Sequence, residues 1–267
     1  MLNRKFGDSK SPTFHILTVS INYAQKMNNE TIRQNFVKKR NSYLSTLESN
    51  SNLDKLLKTI LLNLKEFNFE DYKQKLEVEI LKNLNDWWSN PEKGIKKEEE
   101  LYAILFEYDY FFQKNVEATA YGIGEWKDFQ VKFDKFDMGF DYDFTTDFYT
   151  CPGIGLNFFD SLESLNHDSL PKEYTNNHID FDGLKDGDII EMDEFNDIES
   201  IDGYDEIIEL HKCEGMIAIH DVLVKIDKNN GFESLNYKDN FMFIIDEHDS
   251  GEVYPLLVKK ITNANKT

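Results

Sequence analysis

The side chains of this 267-residue chain that could bind a metal or move protons are few. They are the histidines, two cysteines and a concentration of carboxylates in the second half. His211, Cys213 and His220, joined by His248, carry the donor types that zinc prefers. Their spacing argues against a shared ion. A helix turns about 100° per residue, so His211 and Cys213 diverge by roughly 200°, and His211 and His220 stand on opposite faces. Cys213 reads better as a small buried apolar residue. No metal site and no cofactor is expected.

The run from Asp180 to Glu206 holds 12 acids against the single base Lys185, which invites comparison with a calcium loop. Such a loop needs oxygen ligands at alternate positions, glycine at the sixth and glutamate at the twelfth. Counting from Asp180 puts Leu184 fifth and Lys185 sixth. Counting from Asp182 puts Leu184 third. Neither register works, and a solvated acidic loop is the simpler reading.

Acid–base chemistry has two local candidates, His220-Asp221 and Glu247-His248-Asp249. A histidine tunes readily near neutral pH, but a general base also needs a cleft and a substrate. A hydrolase built on His220, Glu247 and His248 with the acidic loop is therefore the alternative function. Nucleophilic catalysis finds no support. Cys151-Pro-Gly-Ile-Gly155 places no nucleophile between its glycines, and no base near Cys151 in sequence would lower its pKa. Gly122-Ile123-Gly124 lacks the third glycine of a dinucleotide fingerprint and is followed by Glu125.

Aromatic residues beside carboxylates are the remaining signal. Leu101 to Phe112 alternates in its second half. Phe106, Tyr108, Tyr110 and Phe112 would share one side of a strand, Glu107 and Asp109 the other. The pattern returns at Phe140 to Phe144. A surface combining Asp109, Trp126, Asp141 and Asp143 with Asp186 and Asp188 of the acidic loop would attract cations. Aromatics and complementary charge are what binding surfaces use.

Charge sharpens that reading. Residues 1–100 carry 17 basic and 14 acidic side chains, a balance of +3, whereas residues 101–267 carry 13 and 36, a balance of −23. The second part should repel nucleic acid and anionic membranes and favour a basic protein partner. Two distant cysteines suggest a reducing compartment, and no apolar run reaches the ~20 residues of a membrane span, so a cytoplasmic protein is expected. In general composition the chain resembles the immunity proteins that neutralise bacterial toxins. That resemblance implies a compact, acidic, non-enzymatic inhibitor occupying a basic surface on its partner.

The elements behind these residues read as α+β. Residues 1–95 form a helical part, with stripes at Ile32 to Leu47 (Asn29 as cap), Leu53 to Leu64 (Asn52 or Ser51 as cap) and Leu76 to Trp88, the last stopped by Pro91. Thr13 to Met27 leans to helix. Residues 96–267 form an aromatic-rich acidic α+β part, and Asn90 to Glu100 serves equally well as a domain boundary or a loop. Strands are expected near 101–112, 116–122, 129–136 and 139–145, with Pro152, Gly153 and Gly155 ending the region. A short helix at Leu156 to Leu165, a strand at Ile189 to Met192, a buried helix at Tyr204 to Ile226 weakened by Gly215, and a hairpin of Asn240–Asp246 with Val253–Lys260 complete a mostly antiparallel sheet.

Overall fold

Apolar stripes at helical spacing make three helices in the first part of the chain, and the aromatic segments supply strands of a sheet. A computed structural model describes residues 29–89, 100–123, 130–132, 139–141, 148–166, 168–171, 174, 198–248, 250 and 253–259. Thr13 to Met27 and Ile189 to Met192 lie outside these residues.

Helix α1 spans Asn29–Ser49, α2 Lys55–Glu66 and α3 Phe69–Asn83, the last continuing into a π-helical turn at Leu84–Trp88. Their buried residues follow the expected stripes: Ile32, Phe36 and Leu47 on α1, Leu57, Ile60, Leu61 and Leu64 on α2, Tyr72, Leu76 and Ile80 on α3. The caps differ from expectation. Asp54, not Asn52 or Ser51, caps α2, its carboxylate accepting the Leu56 amide at 2.6 Å. A carboxylate suits this end because it meets both unpaired N–H groups and the helix dipole. Asn29 is the first residue of α1, and its carboxamide faces a strand described below instead of capping.

The main sheet has the order β5-β2-β1-β6-β7. Its strands are β1 Leu101–Tyr108, β2 Glu117–Ile123, β5 Phe148–Gly155, β6 Tyr237–Glu247 and β7 Val253–Lys259. A separate two-stranded ribbon pairs β3 Gln130–Lys132 with β4 Gly139–Asp141. Only the β1–β6 pair is parallel, with Ala103 opposite Met242 and Phe106 opposite Ile245; the other pairs are antiparallel. The fold is thus α+β, with a mostly antiparallel sheet.

Central β1 is buried along both faces from Ala103 to Phe106. The expected acidic face is reduced to Glu107. Alternation also ends early. The strand stops at Tyr108, after which Phe111 turns inward while Tyr110 is 46% exposed. The reason is tertiary: Phe111 finds the Phe159 ring at a centroid distance of 5.2 Å. The Pro152-Gly153 pair does not end the sheet but lies inside β5. An edge strand tolerates proline because one of its sides needs no N–H donors. Gly153 is required there, since a Cβ would fall 2.0 Å from the Ala118 carbonyl oxygen.

Helix α4, Tyr204–Lys228, is the long buried helix, packed against α1, α3 and β7. Asn229 and Asn230 end it, the latter at φ 60°, and the Gly231 amide returns to the Ile226 carbonyl at 2.9 Å. The Leu156–Leu165 expectation is met by a 3-10 helix at Asn157–Leu165. Its Phe158 ring lies so close to Gly215 that a Cβ would come within 2.2 Å of it. Gly215 is therefore the seat of a ring, not a weak point. Residues from α1 through β7 enter one continuous hydrophobic cluster. Among the described residues no helix is long and apolar enough to cross a membrane.

Candidate functional site

Each buried histidine is fixed first by a backbone carbonyl. On α4, His211 Nδ1 lies 2.6 Å from the Ile207 carbonyl oxygen one turn earlier. A carbonyl only accepts, so Nδ1 carries the proton and Nε2 is left as an acceptor. Ser161, from the 3-10 helix, fills that position at 2.8 Å. The ring has no exposure, and burial pushes its pKa down to about 4 against the smaller opposing pull of the Ile207 carbonyl. A serine, an oriented imidazole and a third group in line resemble a nucleophile with its base. Yet a base titrating near 4 holds a proton weakly at neutral pH, which blunts general-base catalysis. The geometry is that of a satisfied core histidine. Reading the sequence alone missed this pair, because Ser161 and His211 are 50 residues apart and belong to no motif.

Cys213, two residues on, is buried, and burial reinforced by Glu209 pushes its thiol up to about 12. It is an inert small core residue, as its spacing suggests. Cys151 is buried in β5. Among the described residues no group of three or more histidine, cysteine or carboxylate side chains is placed to hold a metal ion.

His220 is held apart from the other two side chains of the alternative acid–base site. His220 Nδ1 donates to the Leu256 carbonyl at 2.6 Å, which places the ring at the level of Phe243 and Ile244 on the neighbouring strand. Glu247 is three or four residues further along β6, roughly 10–13 Å at strand rise. Its carboxylate accepts from Lys212 at 2.7 Å. His248 sits 3.4 Å from Glu107 and is exposed.

His220 instead lines an open groove of about 440 Å³ between α1 and the last turns of α4. Arg33 enters it from α1; Asp221, Lys225, Lys228 and Asn229 line it from α4. Arg33 Nε and Nη2 grip the two Asp221 oxygens at 2.7 and 3.3 Å. Lys225 reaches out to Glu77 at 2.6 Å. Burial lowers the His220 pKa, opposed by the Leu256 carbonyl and by Asp221.

The other end of α4 meets the rim at which β1 ends. Asp109 and Tyr110 are exposed there, and the Tyr110 amide is tied to Asp109 Oδ1 at 2.8 Å. Tyr110 packs edge-on against Phe112 with centroids 5.6 Å apart. The base of the rim is rigid: the His248 amide donates to the Tyr108 carbonyl at 2.8 Å, and Lys212 lies over the Phe111 ring. Burial alone would lower Lys212, but Glu209 and Glu247 outweigh it and hold its pKa above the usual lysine value.

Of the six residues expected to meet a partner, Asp109 is thus on an exposed rim. Asp141 falls in β4, paired with Gln130. Trp126, Asp143, Asp186 and Asp188 lie outside the described residues. Alternation put Tyr110 and Phe112 on one side of a strand; in the structure Tyr110 is exposed while Phe112 is partly buried against the core. No protein family model matches the chain, and comparison with curated proteins and with solved structures finds no significant match.

Proposed function

We propose that this protein is a non-enzymatic binding module, of the immunity type, that occupies a basic surface on a protein partner in the cytoplasm. The observation that carries the reading is the rim at the end of β1, where Asp109 stands exposed beside a half-exposed Tyr110. An aromatic with a polar tip next to a carboxylate, on a support fixed by backbone bonds, suits recognition of lysine- or arginine-rich surface. The balance of −23 over residues 101–267 adds a field that draws such a surface in. The chemistry-bearing side chains add support from the other direction. His211, Glu247 and Lys212 are each engaged in structural bonds.

The test is a pull-down from native lysate at low salt, followed by kinetics on the retained basic protein. Association should slow markedly as ionic strength rises, since a Debye length of ~8 Å at physiological salt screens the field, while dissociation changes less. Asp109→Asn should lower the association rate and Tyr110→Ala should raise the dissociation rate, neither altering the melting temperature. Retention of no basic protein, together with turnover of a small ester or phosphate that depends on His220, would replace binding by the hydrolase reading. One observation favours that second reading, namely that His220 and Asp221 share a groove. Glu247 and His248 take no part in it.

A further inference from the structure

The groove between α1 and α4 has a charge opposite to that of the chain. Three cationic side chains, Arg33, Lys225 and Lys228, and one carboxylate, Asp221, line it, a local balance of +2 within a net −20. The α4 dipole accounts for lysines in that helix's last turn, because cations suit a C-terminus. It does not account for Arg33, which reaches in from α1, nor for an imidazole in the wall.

Each cation has capacity left. Arg33 spends Nε and Nη2 on Asp221, which leaves the Nη1 donors outside the pair. Lys225 gives one bond to Glu77, which does not line the groove. Lys228 makes no hydrogen bond or ion pair among the described residues. His220 differs in kind. With its Nδ1 proton given to Leu256, it offers only an acceptor, Nε2. A ligand complementary to all four must therefore bring negative oxygens for the cations and a hydroxyl for the imidazole.

We propose that this groove binds a small hydroxyl-bearing oxyanion of the phosphate-monoester class, held by Arg33, Lys225 and Lys228 and read by His220. Its volume of about 440 Å³ falls in the range of small-ligand sites. Lysine and arginine are the usual phosphate partners. The site is independent of the binding rim: from Lys212 to Lys228 the helix runs roughly 24 Å.

The experiment uses the full chain with labelled histidine, following the His220 ring resonance at fixed ionic strength and neutral pH. Inorganic phosphate, glycerol 3-phosphate and sulfate are titrated in turn. Phosphate and glycerol 3-phosphate, which carry a hydroxyl, should give saturable shifts. Sulfate, which carries none, should bind about tenfold more weakly. Lys228→Ala should weaken phosphate by about tenfold, with the exposed Lys58→Ala as the control that leaves it unchanged. A shift that does not saturate, equal binding of sulfate, or equal weakening by Lys58→Ala would each overturn the proposal.

Discussion

Ser161 Oγ and His211 Nε2 are 2.8 Å apart, joining a 3-10 helix to the N-terminal half of the long helix through a single neutral hydrogen bond. The bond is legible as structure because the same ring is anchored from its other nitrogen to Ile207. Seen from either side, the imidazole has no donor or acceptor to spare.

The first prediction concerns acid stability. His211 titrates near 6.5 when unfolded and at about 4 when folded. Between those values the unfolded chain binds more protons, so stability must rise with pH across the window. It is fully present above about pH 6.5 and is lost progressively down to about pH 4. A depression of this size corresponds to roughly 3 kcal/mol at full loss. Chemical denaturation at pH 7, 5.5 and 4.5 should show the decline, and His211→Gln should flatten it. A slope unchanged in that variant would place the acid sensitivity elsewhere.

The same geometry predicts chemical silence. An active-site serine reagent such as a fluorophosphonate should leave Ser161 unmodified in the folded protein. Mass spectrometry checks this directly, and stoichiometric labelling at Ser161 would turn the pair into a nucleophile and its base.

Gly215 carries the third prediction. In an exposed helix interior, Gly→Ala stabilises by roughly 0.5–1 kcal/mol. Here the added methyl would meet the Phe158 ring at 2.2 Å. Overpacking of this kind costs about 1–3 kcal/mol, so Gly215→Ala should lower the melting temperature. Recovery in a Gly215→Ala, Phe158→Leu double variant would identify the ring as the cause.

The fourth rests on burial along α4. Ile219 has no exposure, whereas Ile217 keeps 8%. Ile219→Ala should cost about 2–5 kcal/mol. Lys225→Ala, which loses one surface ion pair to Glu77, should change stability by less than about 1 kcal/mol. Similar small effects at both positions would mean that α4 is peripheral to the cooperative core.

Much of the architecture could be read from spacing. The stripes of α1 to α4 and the β6–β7 hairpin follow from period and turn chemistry alone, because burial is a one-dimensional signal along each element. What escaped was set by partners distant in sequence. Phe111 is more deeply buried than Phe112 because Phe159 is available to it. Pro152 remained in a strand because that strand lies at an edge, which composition cannot reveal. The site was harder still. His220 was noted for its neighbour Asp221, but its groove needed Arg33 from another helix, 187 residues away. The parallel β1–β6 pair likewise joins segments with more than a hundred residues between them.

Asn29 opens α1, and its carboxamide binds both backbone groups of Val258: the Val258 amide donates to Oδ1 at 2.8 Å, and Nδ2 donates to the Val258 carbonyl at 3.1 Å. It thereby completes the outer side of β7 as another strand would. At the opposite border, the Pro152 carbonyl accepts from the Trp88 indole and the Gly153 carbonyl from Asn83. Both margins of the sheet are thus already spoken for at these points by side chains of the same molecule. Main-chain pairing with a foreign strand is the commonest way for an open sheet to recruit a neighbour or to aggregate. Here such a visitor would first have to evict a helix-borne amide or an indole. At these points the chain's own helices hold the backbone groups that an added strand would need.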